Sequence, residues 1–211
     1  MKTEGSATSY LSAAELSVLA LEGGSVPNGL KVKGSKTALL GVLMKRFKVE
    51  GLAWRLIDVD GLDGTERSIE IARELPSSDV VMLGGVSCAG FNLVDPLKLV
   101  EELGRPVLVV VEDPPNNEAV KAALLKHFPD WRERWRVFEE LSLRAPVVKV
   151  EPREGSCVYL EAVGLPVEEA KRVVRELTRW GRTPEPLRAA RQLVKGVTRS
   201  LLKVVRSHRG I

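Results

Sequence analysis

Oxygen-bearing side chains follow three apolar segments that the sequence predicts to be β-strands. The candidates are Glu22, Asp60, Asp63, Asn92 and Asp95. Ligand sites of α/β sheets lie where strands end, so these side chains converge on one rim if the first strand is central. Carboxylates suit Mg²⁺ or Mn²⁺, which would polarise a phosphate and activate water. We predict Glu22, Asp60 and Asp63 as metal ligands, with Asn92 and Asp95 as auxiliary polar groups.

Each acidic residue also has a structural explanation to weigh. Asp63 and Asp95 stand where they could cap helices, which for either one alone is the commoner role. Asp60 precedes a glycine in a sequence that favours a tight turn. Glu22 is harder to explain in this way, because glutamate is a poor turn residue. The combination of these residues, and no single one of them, indicates a metal site.

A second candidate surface is the strongly basic end of the chain. Residues 171–211 carry 12 Lys or Arg and two Glu, a net charge of +10, while the rest of the chain carries −6. The basic side chains that recur at three- and four-residue steps are Arg188, Arg191, Lys195, Arg199 and Lys203. They share one helix face and predict contact with a nucleic-acid backbone, with Glu185 orienting Arg188. A merely solvated helix face is the alternative.

The strands and helices that must position these residues are predicted from apolar runs and from the turn-forming residues that end them. Strands are predicted at 16–22, 37–47, 52–59, 80–83 and 106–111, with edge strands at 147–150 and 157–162, and a hairpin at 48–51. Helices are predicted at about 63–74, 95–104, 116–128, 130–141, from 166, and at 186–205. Asp63 with Glu66, and Asp130 with Glu133, match the capping-box spacing.

Three antiparallel strands, a helix and then parallel strands with crossovers are typical of a ribonuclease H-like domain. The predicted fold class is therefore α/β, with a mixed sheet and helices on both faces. We expect a single domain over 1–211 with a basic helix at 184–206. No apolar stretch approaches a membrane span, and two cysteines without zinc spacing fit a reducing compartment, so a cytoplasmic protein is expected. Scarce Asn and Gln beside abundant Glu, Lys and Arg favour a thermophile.

Several segments together resemble an archaeal family, endonuclease dU, which is related to endonuclease V. They are DVDGLDGTE (58–66), MLGGVSCAGFNLVD (82–95), PVLVVVEDPPN followed by AALLKHFPD (106–130), and TPEPLRAAR (183–191). The resemblance implies an endonuclease V-like fold and metal-dependent cleavage of DNA that contains deaminated bases. Deoxyuridine is the lesion that it implies.

The chain departs from that family at three positions. The family usually has two adjacent aspartates after the first strand, where this chain has Glu22 and Gly23, and endonuclease V has an aspartate where this chain has Gly84. A nucleic-acid-binding protein with altered chemistry is therefore an alternative function. A small-molecule or nucleotide-binding protein that uses the glycine-rich turn at 84–90 is a third possibility.

Overall fold

The structure, a computed structural model, describes residues 15–25 and 35–208, with the backbone alone at 202–208. The strands of one mixed sheet are β1 (Ser17–Gly23), β2 (Lys36–Lys45), β3 (Lys48–Asp58), β4 (Val80–Leu83), β7 (Val107–Val111), β8 (Val148–Val150) and β9 (Val158–Val163). Their order across the sheet is β3-β2-β1-β4-β7-β9-β8. A separate small hairpin is formed by β5 (Ser87–Cys88) and β6 (Asn92–Leu93). The helices are α1 (Gly64–Glu74), α2 (Pro96–Leu103), α3 (Asn117–His127), α4 (Trp131–Arg144), α5 (Val167–Leu177) and α6 (Glu185–His208).

Strands β1, β4 and β7 run parallel at the centre of the sheet, as the sequence predicts. Helices cover both faces, and this is why these strands read as continuous apolar runs. One core lies between the sheet and α5 and α6 and includes Val18, Ala20 and Leu187. The other lies between the sheet and α1, α2 and α4 and includes Leu19 and Leu21. No helix in the described part of the chain is long and apolar enough to cross a membrane.

Two predicted strand details are wrong. Strand β3 begins at Lys48, so the hairpin turn falls at Arg46 and Phe47, where Arg46 has a φ of 55°. The first residues of β3, Lys48, Val49 and Glu50, are exposed, and two of the three are charged, so they form no apolar run. Strand β9 is not an edge strand, because it pairs with both β7 and β8.

Both predicted capping boxes are also absent. Asp63 precedes α1 and Asp130 precedes α4, but neither side chain accepts a capping hydrogen bond. Asp63 accepts the backbone N–H of Asp58 at 3.2 Å, and Asp130 pairs with Arg134 at 2.9 Å. Each side chain is therefore engaged by a partner other than the backbone N–H groups at the start of its own helix.

The buried guanidinium of Arg134 ties together the loops at the carboxyl end of the sheet. Its Nη1 donates to the carbonyls of Gly61 at 2.9 Å and Phe91 at 2.6 Å, and its Nη2 donates to the carbonyl of Asp60 at 2.9 Å. The side chain is only 5% exposed and sits on α4. Helix α4 thereby fixes the loop after β3 relative to the loop after β4.

Replacing Arg134 by alanine is expected to lower the free energy of unfolding by about 3 kcal/mol. The change leaves three backbone carbonyls without their donor, and each unsatisfied group is costly. Urea denaturation measures the loss. Arg136→Ala, an exposed arginine on the same helix, serves as the control and should change stability by less than about 0.5 kcal/mol. Equal effects of the two substitutions would contradict this account.

Candidate active site

Three neighbouring strands, β1, β4 and β7, end side by side. Glu22 is the last residue but one of β1, and Gly84 and Glu112 directly follow β4 and β7. Helix α6 lies over this rim and contributes Arg191. The Nε of Arg191 donates to Oε1 of Glu22 at 3.2 Å, and its Nη1 donates to Oε1 of Glu112 at 2.5 Å. One guanidinium therefore bridges carboxylates from two strand ends.

Further donors from the segment before α6 hold Glu112 in place. Thr183 Oγ1 donates to its Oε1 at 2.8 Å, and Arg182 Nε donates to its Oε2 at 3.0 Å. The hydrogen bond from Thr183, followed by the hydrogen bond and charge of Arg191 and the charge of Arg182, lowers the pKa of Glu112. Burial raises the pKa of Glu22, and Arg191 offsets this only in part. The rim thus holds one carboxylate with a raised pKa and one with a lowered pKa, and both are hydrogen-bonded to Arg191.

The position of the Glu22 side chain explains why residue 84 is a glycine. A Cβ at this position would lie 2.1 Å from Oε1 of Glu22 and 2.7 Å from its Cδ. The carboxylate of Glu22 therefore occupies the space that a side chain at residue 84 would fill. Glu22 and Gly84, two of the departures noted in the sequence, are therefore linked, because the Glu22 side chain needs the space that Gly84 leaves.

Asp60 has a different task from Glu22. It adopts a φ of 59°, and its Oδ1 accepts the backbone N–H of Phe91 at 2.8 Å. Gly90 has a φ of 82°, and a Cβ there would lie 2.1 Å from the same oxygen. One oxygen of Asp60 is thus committed to holding the loop at 84–93, so the prediction of Asp60 as a metal ligand gains no support from its contacts.

Asn92 is completely buried and joins the same loop to α1. Its Nδ2 donates to Oδ1 of Asp63 at 2.6 Å and to the carbonyl of Asp58 at 2.8 Å, and its Oδ1 accepts the N–H of Gly64 at 2.8 Å. Asp95 is the N-cap of α2 and accepts two backbone N–H groups. The contacts of Asn92 and Asp95 are therefore those of framework residues rather than of the auxiliary polar groups that the sequence predicts.

The loop at 84–93 brings the predicted acidic residues to one rim. Burial, together with the charges of Asp63 and Glu22, raises the pKa of the Cys88 thiol to about 12. Cys88 is therefore a poor nucleophile, and it lies close to both carboxylates. Among the residues that the structure describes, however, no group of three or more His, Cys, Asp or Glu could hold a metal ion. Glu22, Asp60 and Asp63 line one rim without forming such a cluster.

Sequence reasoning missed Glu112 and its partners Arg182 and Thr183. Glu112 directly follows the buried strand β7, so the criterion that selected Asp60 could have selected it. Arg182 and Thr183 carry no such signal, because their partner lies about 70 residues away in the chain.

The basic face of α6 divides into two parts. Arg188, Lys195 and Arg199 are exposed, whereas Arg191 turns toward the two glutamates. Arg188 pairs with Glu185 through its Nε at 3.0 Å, which is the contact that the sequence predicts. The side chain of Lys203 lies outside the described residues. Three of the five predicted contacts to a nucleic-acid backbone are thus available on one exposed surface.

Solved structures identify the fold. A protein of unknown function from Archaeoglobus fulgidus has a TM-score of 0.74 at 25% identity, covering 87% of this chain and 98% of that one. Endonuclease V from Ciona intestinalis, in complex with a 24mer DNA containing an inosine followed by a ribo-adenosine, has a TM-score of 0.56 at 11% identity. That match covers 90% of this chain and 87% of the other. The fold is the ribonuclease H-like fold of endonuclease V, as predicted.

The family is given by sequence similarity over most of the chain. The family model for Endonuclease dU matches residues 15–198. A UPF0215 protein from Thermococcus gammatolerans is 42% identical over 186 residues, which cover 87% of this chain and 92% of that protein. The chain belongs to the endonuclease dU family. The resemblance to this family that its sequence motifs indicate is therefore confirmed.

The packing of Gly84 against Glu22 predicts a nonadditive pair of substitutions. Gly84→Ala should cost about 2 kcal/mol of unfolding free energy, because the new methyl group overlaps the Glu22 carboxylate. In a Glu22→Ala background, the same change should cost less than about 0.5 kcal/mol. Urea denaturation of the four proteins measures the coupling.

The control for this cycle is Gly196→Ala on α6, where a Cβ would meet nothing within 4 Å. Alanine is the better helix former, so this substitution should stabilise the protein by about 1 kcal/mol. If Gly84→Ala cost the same with and without Glu22, the carboxylate would not occupy the space beside Gly84.

Proposed function

We propose that this protein is a metal-dependent endonuclease of DNA repair that cuts DNA containing deaminated bases, with deoxyuridine as the lesion. Its family and its endonuclease V fold support a nuclease. The observation that carries the proposal is the pair of glutamates at the ends of β1 and β7, on either side of β4, bridged by Arg191.

The donor set at this rim fits a magnesium or manganese ion. Mg²⁺ is commonly bound through one or two carboxylates, with waters and substrate phosphates as the other ligands. Glu22 and Glu112 supply two carboxylates that already share a single cation, the guanidinium of Arg191. They replace the predicted set of Glu22, Asp60 and Asp63 as the proposed ligands. A bound ion would polarise a phosphate and activate a water molecule.

The surrounding residues of the chain would position the substrate. Arg191 would exchange a glutamate for a phosphate oxygen, because guanidinium groups bind both in the same planar geometry. Arg188, Lys195 and Arg199 would hold the phosphodiester backbone along α6. Asp63 would add a further negative charge at the rim, where its side chain is 26% exposed.

A nucleic-acid-binding protein with altered chemistry is the second candidate. It is favoured by the pairing of Arg191 with both glutamates, which satisfies their charge without a metal ion. In that case, DNA binding would persist without cleavage.

Cleavage assays separate these candidates. With Mg²⁺ or Mn²⁺, the protein is expected to nick a duplex containing deoxyuridine, and Glu22→Gln or Glu112→Gln should lower the rate at least 100-fold, on the order of the loss from one essential group. DNA binding by both variants should survive. Asp95→Asn is the matched control, since asparagine also caps helices and its rate should be unchanged. Nicking that is unaffected by both glutamine substitutions would refute the assigned ligands.

The exposed cations of α6 predict salt-dependent DNA binding. Replacing Arg188, Lys195 and Arg199 by alanine should weaken binding and reduce the slope of log Kd against log salt by about 0.9 for each lost phosphate contact. Fluorescence anisotropy at several salt concentrations measures the slope.

A charge-matched triple variant at the far end of the sheet, Arg144→Ala, Lys149→Ala and Arg153→Ala, is the control for this experiment. All three of its residues are exposed. Its slope should match that of the unmodified protein. If the two triple variants behaved alike, the basic face of α6 would have no special contact with the backbone.

A further inference from the structure

A cavity of about 210 Å³ lies beside the proposed active site, between the sheet and helices α3 and α4. Seven of its thirteen described lining residues have apolar side chains: Val86, Val109, Val111, Pro115, Val120, Phe138 and Leu141. Gly85 lines it directly after Gly84, and Val111 and Asp113 line it on either side of Glu112. The cavity therefore adjoins the carboxylate rim along two strand ends.

Glu161 is a buried carboxyl group in the wall of this cavity. It lies on β9 opposite Val109, and its sequence neighbours Leu160 and Ala162 pack toward α5 and α6, so Glu161 faces the cavity side. It is 8% exposed, and among the described residues it makes no hydrogen bond or ion pair. Burial alone raises its pKa from 4.5 to about 7.

An unpaired carboxyl group in an apolar wall calls for an explanation. Burying such a group without a partner is costly, and native proteins contain few of them. Glu22 and Glu112, at the nearby rim, are both paired with Arg191. A ligand that supplies the missing hydrogen bonds would account for Glu161.

The lining determines what kind of ligand this could be. Asp113 and Glu161 are the ionisable groups among its described lining residues, and no lysine or arginine is present. A phosphate is therefore a poor occupant, whereas a neutral ring with an N–H donor is suited to it. The volume is below the roughly 300 Å³ at which pockets for drug-sized ligands begin, so a single small ring fits best.

We propose that this cavity receives one nucleobase extruded from DNA and that Glu161 recognises its hydrogen-bonding edge. This inference rests on the proposed function, because proteins that read a single base often take it out of the stack into a pocket. A protonated carboxyl group offers an O–H donor beside a carbonyl acceptor. Uracil presents the complementary pair, a carbonyl beside an N–H. Phe138 and Val120 provide apolar walls for the ring.

The test measures DNA binding with divalent ions removed by EDTA, so that no cleavage occurs. Two duplexes are compared by fluorescence anisotropy, one with deoxyuridine and one with an abasic site at the same position. The protein should prefer deoxyuridine, and Glu161→Ala should reduce that preference about 10-fold, as expected for one two-point base contact. Glu161→Gln should keep it, because the amide retains a donor and an acceptor. Glu118→Ala, an exposed glutamate on α3, is the control and should also keep it.

The outcomes separate this inference from the proposed function. A protein that nicks deoxyuridine DNA but shows no preference dependent on Glu161 would overturn the inference alone. A preference dependent on Glu161 without nicking under any metal would support the inference and overturn the proposed activity. Equal binding of both duplexes by the unmodified protein would also overturn the inference.

A stability measurement checks the environment of Glu161 independently of DNA. A pKa that is raised in the folded state gives stability that is fully present below 4.5 and is lost as the pH rises through about 7. Glu161→Gln removes this loss, so its advantage in urea midpoint should grow between about pH 5 and pH 8. Asp113 is the other titratable group in the lining and is common to both proteins. A constant difference across this range would overturn the inference, since Glu161 would then lack the unpaired environment.

Discussion

The rim of the sheet depends on one guanidinium, that of Arg191, between the carboxylates of Glu22 and Glu112. Strands β1 and β7 are separated only by β4, so Glu22 near the end of β1 and Glu112 directly after β7 lie at the same edge of the sheet. Two carboxylates that share one guanidinium, one of them the largely buried Glu22, require a cation nearby. Helix α6 supplies it, and the packing of α6 on β1 and β2 holds that cation in place. Any metal ion or phosphate that enters this rim must therefore compete with, or recruit, Arg191.

The loop at 84–93 is the second constraint, because it contacts Glu22, Asp60 and Asp63. Its first residue makes room for Glu22, its Phe91 N–H is held by Asp60, and its Asn92 is hydrogen-bonded to Asp63. Arg134 fastens the loop to α4 through the Phe91 carbonyl. The same loop forms part of the cavity wall at residues 85–87. A change in this loop would therefore alter the positions of residues at both the carboxylate rim and the cavity.

Much of the fold could be predicted from the sequence, because strands covered on both faces read as apolar runs and because polar residues mark their ends. The central position of β1 and the gathering of Glu22 and Asp63 near Cys88 follow from that logic. The contacts of each carboxylate could not be predicted. Asp60 and Asn92 are engaged by partners about 30 residues away. Helical periodicity placed Arg191 on the basic face, but only the packing angle of α6 turns it toward the glutamates.

The distribution of charge gives the two proposed sites distinct tasks. The exposed cations of α6 and the arginines at the rim suit a phosphodiester backbone, which carries its charge at regular intervals. The cavity, which has two carboxyl groups and no basic residue among its described lining residues, disfavours that backbone and suits a neutral base. Because Gly84 and Glu112 border the rim while their sequence neighbours border the cavity, a nucleotide could place its phosphate on one side and its base on the other. In this arrangement, base recognition by Glu161 and phosphate contact by Arg191 would be linked through the ends of β4 and β7, which carry residues of both sites.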